Sequence, residues 1–540
     1  MASQTISINE NKGMKQFAPM LIILMLGLFM VILNQTLLSV AMPRMMAEFN
    51  VAATTIQWLS TGFMLVNGAL IPLSAFLIER FGTRILFLAA MFLFTIGTLI
   101  CGIAPNFPII LTGRLIQAAG GGILQPLVMT IILFIFPPEM RGKGMGIFGL
   151  AIMFAPAIGP TLSGWVIQEY SWRVMFYAMV PLGIIIIILA LLSMRNVAEP
   201  KKIKLDLLGA SLSLIGVASL LYGVSEAGSK GWTDSIVLGT IIIGIILLTL
   251  FVVQQLKSDT PMLDFRVFKY DMFVLSNIIS AIVTVAMFTG IFLLPIYLQT
   301  LRGFTPVQSG LLMLPGALVM MVMSPISGAL FDKVGPRPLA LIGLGITAVT
   351  TFEFANLTTD TTYSTLVIIY AIRALGMSML MMPIMTAGMN QLPKYLNTHG
   401  TAMSNTLKQV TGAIGTSFVT TIYTNRATFH GTSLGMDMST SDPGFVQNFQ
   451  AIVQSIMSTM NQTSEQARET AMSLISAQIQ GKANVMGIND AFFWATGFAV
   501  VGIVLSLFLR DVRKDKVVIQ QAQEEKLDVP LLPSPVKKSV

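Results

Sequence analysis

The chain has 540 residues, of which 54% are hydrophobic and only 11% are charged, and its net charge is +8. A soluble protein carries about a quarter charged residues, and apolar runs of roughly 18 or more residues recur here, so a soluble fold is excluded. Cys101 is the single cysteine, and the two histidines, His399 and His430, lie outside the apolar runs. We therefore expect no disulfide, metal or haem, and the positive charge fits the cytoplasmic loops of a membrane protein better than nucleic-acid binding.

The apolar runs predict about fourteen membrane-spanning helices. In chain order they cover residues 18–40, 54–78, 85–104, 108–135, 144–167, 173–194, 206–226, 234–256, 273–300, 307–331, 338–357, 363–391, 401–425 and 490–510. The first run is too long for the apolar core of a signal peptide, and no small-residue cleavage site follows it before the next run. It is interpreted as an uncleaved first helix.

The distribution of Lys and Arg predicts the orientation of these spans. The N-terminus, the loops after even-numbered spans and the C-terminal tail hold about 23 of these residues, and the loops after odd-numbered spans hold about seven. Because basic residues concentrate in cytoplasmic loops, both termini (residues 1–17 and 511–540) are predicted to be cytoplasmic. Residues 426–489 form a long external segment, in which one or two amphipathic helices are expected on the outer face, with a plain linker as the alternative.

A short pattern occurs twice, each time at the end of a span. "AFLIERFGTR" contains Glu79, Arg80, Gly82 and Arg84, and "GALFDKVGPR" contains Asp332, Lys333, Gly335 and Arg337. The acid suits a contact that holds the cytoplasmic face shut, with helix capping as the alternative, while the glycine turns the chain and the arginine anchors it at the interface. Two helices after each copy lies an arginine within an apolar run, Arg114 and Arg373. Such duplication is typical of secondary transporters.

At this point the chain resembles the major facilitator superfamily. "RLIQAAGGG" and "APAIGPTLSG" resemble the fourth-helix motif and the fifth-helix antiporter motif of that family. The repeats follow spans two and ten, so two additional helices separate the halves, as in the fourteen-span drug:proton antiporters (the EmrB/QacA group). "LNQTLLSVAMP" resembles the lincomycin-resistance exporters of Gram-positive bacteria within that group.

The resemblance implies an all-α polytopic membrane protein with the major facilitator fold. Two six-helix bundles, residues 18–200 and 261–510, are expected on either side of two inserted helices in residues 201–260. The implied function is export of small amphiphilic compounds across the cell membrane of a bacterium, most simply a Gram-positive one, by alternating access. The proton gradient replaces any cofactor, no enzyme activity is expected, and the partners are substrate, protons and membrane lipids, with the chain acting as a monomer. The alternatives are an exporter of an endogenous lipid or metabolite and, more remotely, a receptor or scaffold that does not transport.

The candidate site residues fall into four groups. Those assigned to proton coupling are Arg114, Glu353, Glu226 and Asp490. Those assigned to the substrate cavity are Asn34, Gln35, Gln117, Arg373, Asn405 and Gln409. Those of the cytoplasmic gate are the eight repeat residues named above, and those of the antiporter motif are Gly159, Pro160 and Gly164. The resembling exporters commonly carry an aspartate where this chain has Asn34, so Glu353 is the best alternative proton site, with a structural acid near the interface as the other interpretation. Arg114 either takes part in proton coupling at the central cavity or is a structural arginine that donates hydrogen bonds to backbone carbonyls. Lys408 either faces the cavity or extends its side chain to the cytoplasmic membrane interface.

Overall fold

The computed structural model describes residues 10–197, 200, 206–258, 261–358, 360–437, 443–460 and 463–511. The predicted cytoplasmic tail therefore lies almost entirely outside the described residues. Within them the chain is helical and contains no β-strand. This agrees with an all-α membrane protein.

The first half of the chain and the inserted pair contribute nine α-helices. They are α1 (Glu10–Phe49), α2 (Ala53–Ile56), α3 (Trp58–Leu70), α4 (Ser74–Ile103), α5 (Phe107–Ile135), α6 (Arg141–Glu169), α7 (Arg173–Ser193), α8 (Leu207–Lys230) and α9 (Ser235–Lys257). The second half contributes eight more. They are α10 (Asp271–Ile296), α11 (Pro306–Val334), α12 (Pro336–Phe354), α13 (Tyr363–Ser378), α14 (Met381–Asn390), α15 (Asn397–Asp437), α16 (Pro443–Met460) and α17 (Ser464–Ser506).

Glycine turns the chain at equivalent places in the two repeat copies. Gly82 has φ +76° inside α4, and Gly335 has φ +82° between α11 and α12. A left-handed backbone of this kind is readily adopted by glycine alone. In the first copy the helix resumes at once, so α4 contains the end of the predicted second span and all but the last residue of the third.

Eleven stretches of the described chain are long and apolar enough to cross a membrane. The predicted spans outside this set are the second, the eleventh and the thirteenth. The second is interrupted between α3 and α4, the eleventh has Arg337 and Glu353 near its ends, and the thirteenth is the polar helix α15. The total of fourteen spans thus stays a prediction.

The segment between the last two predicted spans is helical where it is described. Both α15 and α17 continue past the predicted membrane boundaries, and α16 stands between them. Ile456 of α16 packs with Ala467 and Ala471 of α17, so this segment has a small apolar core of its own. The described part of residues 426–489 is helical, and its amphipathic role and its position on the outer face stay predictions.

Helix α6 of the first half packs along α11 of the second half. Within the halves, α1 packs on α6 and α4 on α5, while α10 packs on α15 and α12 on α17. The inserted helices α8 and α9 pack on each other, and α8 also contacts α3 and α15. The inserted pair therefore touches both halves, through the contacts of α8 with α3 and α15.

Candidate functional site

Arg114 is fully buried two turns into α5 and joins three helices. Its Nη1 donates to Asn34 Oδ1 of α1 at 2.7 Å and to Gln117 Oε1 at 2.8 Å, and its Nε donates to the Leu59 carbonyl of α3 at 3.3 Å. The guanidinium carbon lies 4.4 Å from the centroid of the Phe63 ring. The structure thus brings together the predicted Arg114, Asn34 and Gln117 around one charge.

The polar cluster continues into α4. Gln117 Nε2 donates to Thr98 Oγ1 at 2.7 Å, and the Thr98 hydroxyl donates to the Phe94 carbonyl at 2.7 Å. The Cys101 thiol lies 3.8 Å from Gln117 Oε1. Within the described chain, the partners of Arg114 are amides, a carbonyl and an aromatic ring, so dipoles rather than a carboxylate compensate its charge. Dipoles of this kind are sufficient to keep an arginine inside a membrane bundle.

Close contacts at the antiporter motif join α6 to both halves. A Cβ on Gly159 would overlap Thr36 Oγ1 of α1, and a Cβ on Gly164 would overlap Val307 of α11. The Ser163 hydroxyl donates to the Leu37 carbonyl at 2.7 Å. Small residues therefore let α6 approach its own half on one side and the opposite half on the other. Gln35, next to Thr36, is half-buried, and the side chain of Pro160 lies outside the described part.

Arg373 is the counterpart of Arg114 in the second half. It is buried in α13, its Nη2 donates to the Ala286 carbonyl of α10, and its Nε donates to Thr351 Oγ1 of α12 at 3.3 Å. A Cβ on Gly290 would overlap its Nη1, so the glycine makes room for the guanidinium. Each arginine thus bonds the first helix of its own half.

Asp332, at the end of α11, binds the beginning of α6 in the opposite half. Its Oδ1 accepts from the Gly142 backbone N–H and its Oδ2 from that of Lys143, both at 3.0 Å. A helix N-terminus has unpaired N–H groups and a partial positive charge, so a carboxylate is stabilised there. A Cβ on either Gly142 or Gly328 would overlap the carbonyl oxygen of the other, and this keeps the two helices in contact. The same carboxylate thus caps α6 and joins the two halves.

The first repeat copy also reaches the opposite half. Glu79 Oε1 lies 3.5 Å from His399 Nε2 of α15, and His399 Nδ1 accepts from the Asp264 backbone N–H at 3.3 Å. Nearby, Arg141 Nη1 donates to Asn390 Oδ1 of α14 at 3.2 Å. The sequence did not predict His399 or Arg141 as site residues. The available signal was their position, since each lies in a short predicted loop just before a predicted span, 144–167 or 401–425.

The remaining repeat residues form contacts within their own half or are exposed. The Arg84 backbone N–H donates to Asn196 Oδ1 at 2.9 Å and its Nη2 to the Leu191 carbonyl at 2.8 Å, which holds the kink at Gly82 against the end of α7. The other basic residues of the two copies are exposed: Arg80, Lys333 and Arg337.

Of the acids predicted for proton coupling, Glu226 and Glu353 lie near the ends of α8 and α12, and Asp490 lies within α17. Glu226 Oε2 pairs with Lys230 at 2.9 Å, and Asp490 Oδ2 accepts from Arg426 and lies 2.8 Å from His430 Nε2. Glu353 is exposed near the end of α12. Among the described residues, the buried side chains include one carboxylate, Asp264, in the loop before α10.

Two further cavity candidates lie on the face of α15 turned towards the first half. Asn405 Nδ2 donates to the Thr401 carbonyl at 2.9 Å and lies 3.7 Å from Met129 Sδ of α5. A Cβ on Gly68 would lie 3.1 Å from Gln409 Cγ. Of the predicted cavity residues, Asn34 and Gln117 thus lie around Arg114, Asn405 and Gln409 lie along α15, and Arg373 lies among α10, α12 and α13.

Glu48 holds α1 to α7 at the end opposite the repeat copies. It accepts a hydrogen bond from Trp172 Nε1 at 2.6 Å and is paired with Arg173, whose Nη2 also donates to the Ala104 carbonyl at 2.9 Å. Partial burial raises the pKa of Glu48, but the bonds from Arg173 and Trp172 outweigh it and leave that pKa below its ordinary value.

Two helical halves joined along α6 and α11, each with a buried arginine and a glycine-turned repeat, are typical of a secondary transporter. Residues 24–416 match the model of the Major Facilitator Superfamily. The chain belongs to this superfamily, and it is a transporter rather than an enzyme.

Relatives and a solved structure agree with this assignment. The chain is 64% identical to "Uncharacterized MFS-type transporter YhcA" of Bacillus subtilis (strain 168), over 98% of this chain and 99% of that protein. It is 37% identical to "Lincomycin resistance protein LmrB" of the same organism, over 92% and 96% of the two chains. The human organic anion transporter MFSD10 (TETRAN) has the same fold, with a TM-score of 0.59 over 91% and 99% of the chains, but its 12% identity shows the fold alone. The resemblance to the drug-exporter branch is thereby confirmed.

Proposed function

We propose that this transporter exports small amphiphilic compounds, lincosamides among them, from the cytoplasm or inner leaflet in exchange for protons. Its similarity to a lincomycin-resistance protein along nearly its whole length supports the substrate class. The cell would be a Gram-positive bacterium, the transporter a monomer, and both termini cytoplasmic.

One observation carries the transport mechanism: both repeat copies contact the opposite half. Asp332 bonds the N-terminus of α6, and Glu79 lies beside His399 of α15. Each contact must break before the halves can separate at that end. The repeats would therefore hold the cytoplasmic side shut while the opposite side opens, and their release would admit substrate from the cytoplasm.

Proton coupling is assigned to the Arg114 cluster together with one of the peripheral acids. Because Asn34 cannot titrate, the proton must bind elsewhere. Glu226 and Asp490 are ion-paired, whereas Glu353 has no ion pair or side-chain hydrogen bond to any described residue. An unpaired acid can take up a proton without breaking a salt bridge, so Glu353 is the preferred site.

Uptake into proteoliposomes tests this function. The full chain would be reconstituted and offered lincosamides, amphiphilic dyes and lipids, with and without an imposed pH gradient. We expect accumulation of at least one amphiphile that rises with the gradient and falls when a protonophore collapses it. Accumulation that ignores the gradient would refute antiport, and transport restricted to lipids would favour the endogenous-lipid alternative.

A further inference from the structure

The inserted pair covers a place where the two halves touch. A Cβ on Gly68 of α3 would lie 2.5 Å from Leu221 Cδ1 of α8 and 3.1 Å from Gln409 Cγ of α15, so the three helices meet at this glycine. Around it, α8 and α15 contribute a buried apolar cluster against which α3 packs. The buried members are Val217, Leu221, Val224 and Ala413, and those of α3 are Met64 and Leu65. If the halves rock against each other, α8 cannot keep its contacts with both of them.

The contact between the inserted pair and α15 is directional. Trp232, in the turn between α8 and α9, donates from its Nε1 to Thr421 Oγ1 of α15 at 2.8 Å. Nearby, the two helices approach closely, because a Cβ on Gly228 would lie 3.4 Å from Thr420 Cβ. Hydrogen bonds weaken steeply with distance and angle, so a displacement of α8 along α15 would break the bond of Trp232.

The other end of the inserted pair is also bonded to the second half. Gln255, near the end of α9, is 3% exposed. Its Nε2 donates to Asp206 Oδ2 at the beginning of α8 at 2.8 Å, and its Oε1 accepts from the Met262 backbone N–H at 2.6 Å. Met262 begins the segment that leads into α10, and in that segment the Asp264 N–H donates to His399 Nδ1 of α15. Polar bonds thus tie both ends of the pair to the second half.

The contact between the inserted pair and α3 is of a different kind. Tyr222 of α8 stacks on Trp58 of α3, with ring centroids 5.9 Å apart, and Leu221 lies on the side of α3 where Gly68 has no side chain. Apolar contacts are non-directional, so they form again after a small shift of one helix along the other. Sliding of packed helices of this kind is one of the usual motions of switching proteins. The surface between α8 and α3 is therefore the one that suits sliding.

We propose that the inserted pair moves with the second half as one rigid body, and that α3 slides over α8 in each transport cycle. This inference rests on the proposed function, because alternating access is what requires the halves to move. It gives the two inserted helices a role: α8 covers the place where α3 meets α15 in both states and keeps lipid out of it.

Spin-label distances test which half the pair follows. One label is placed at Leu256→Cys of α9, and the second at Tyr395→Cys in the second half or at Ile85→Cys in the first half, where the side chains are 65%, 60% and 56% exposed. The distances are compared in the wild-type background and in Asp332→Ala, which lacks the bonds that join α11 to α6. The distance from Leu256 to Tyr395 should stay constant, and the distance from Leu256 to Ile85 should gain a second population. A constant distance to Ile85 with a changed distance to Tyr395 would overturn the inference.

Disulfide cross-links test the same inference during transport. Gly228→Cys with Thr420→Cys joins α8 to α15, since the two Cβ atoms would lie 3.4 Å apart, close to the separation of about 3.5–4.5 Å found in disulfides. Gly68→Cys with Leu221→Cys joins α8 to α3, and the second change removes the Cδ1 atom that a Cβ on Gly68 would overlap.

In proteoliposomes, the oxidised α8–α15 pair should keep its export of amphiphiles. The oxidised α8–α3 pair should lose export and regain it when a reductant is added, which shows that the protein is folded. Export by the fully cross-linked α8–α3 pair would refute the inference, and so would a loss in the α8–α15 pair that the reductant reverses.

The two measurements separate this inference from the proposed function. If the wild type exports no amphiphile in response to a pH gradient, proton-driven export is overturned, and the spin-label distances still decide which half the inserted pair follows. Gradient-driven export together with a changed distance from Leu256 to Tyr395 would overturn the inference and leave the exporter proposal standing.

Discussion

The contact between Asp332 and the N-terminus of α6 gives a direct prediction about the conformational equilibrium. Asp332→Ala removes the acceptor of two backbone N–H bonds, from Gly142 and Lys143. Loss of a capping side chain costs about 0.5–2 kcal/mol, and loss of a charge at a helix terminus adds about 0.3–1 kcal/mol. Because Asp332 is only half-buried, we take about 1–2 kcal/mol for the sum. This energy is present only while α6 and α11 touch.

A loss of that size should shift the equilibrium towards the state that is open at the repeat end by about 5–30-fold, since 1.4 kcal/mol corresponds to a factor of ten. The shift can be measured as a distance distribution between spin labels at Ile85→Cys and Tyr395→Cys, one in each half, where the side chains are 56% and 60% exposed. Native Cys101 is buried and should remain unlabelled. In Asp332→Ala the longer-distance population should grow.

The neighbouring Lys333→Ala serves as the matched control. Lys333 is exposed and follows Asp332 on α11, so its loss should leave the distances unchanged. The reasoning fails if Asp332→Ala leaves the distribution unaltered, or if Lys333→Ala changes it equally.

Three further changes have defined outcomes. Arg114→Ala leaves two side-chain carbonyl oxygens of its cluster without their donor, so thermal unfolding should show a loss of about 3 kcal/mol and export should cease. In Gly328→Val the new side chain would clash with the Gly142 carbonyl, which costs the closed state about 1–3 kcal/mol. The spin-label distance should therefore lengthen and export should slow. Above about pH 5, where Glu48 is ionised, Glu48→Gln should lower the melting temperature relative to the wild type. This difference should vanish as the pH falls through the lowered pKa of Glu48, because only the ionised carboxylate stabilises the folded protein.

Each of these changes has a control at a site without the contact. Arg337→Ala removes an exposed arginine and Gly345→Val fills open space, so neither should affect stability or label distance. Glu169→Gln removes an exposed acid and should leave the melting temperature unchanged across the pH range. Equal effects in control and test would show that the named contacts are not responsible.

Local chemistry made much of the fold predictable. Apolar runs located eleven stretches that are long and apolar enough to span a membrane, and the glycine of each repeat copy turns the chain where the pattern placed it, at Gly82 and Gly335. The break between α3 and α4 was missed because residues 54–78 are mostly apolar and contain no charged residue, and hydropathy does not detect a turn inside such a run. Amphipathic helices were expected in residues 426–489, but not their continuity with the last two predicted spans in α15 and α17, because hydropathy does not show whether a polar helix continues from an apolar one.

The sequence predicted which residues belong to the site better than it predicted the contacts between them. A lone arginine in an apolar run marked Arg114, but its bond to Asn34, 80 positions away, depends on how α1 and α5 are rotated against each other. The pairing of Glu79 with His399 and of Asp332 with α6 depends on the docking of the two halves. Sequence periodicity describes one helix at a time, so it does not predict the contacts between the two halves.

The central claim is exchange of substrate for protons through the Arg114 cluster, and proton flux tests it most directly. The transporter would be reconstituted into liposomes that contain a trapped pH dye, and substrate would be added without an imposed gradient. In the wild type, substrate movement should drive a proton flux in the opposite direction, and Arg114→Ala should abolish it although folded protein remains. Normal substrate-driven proton movement in Arg114→Ala, or substrate transport without proton movement in the wild type, would contradict the claim.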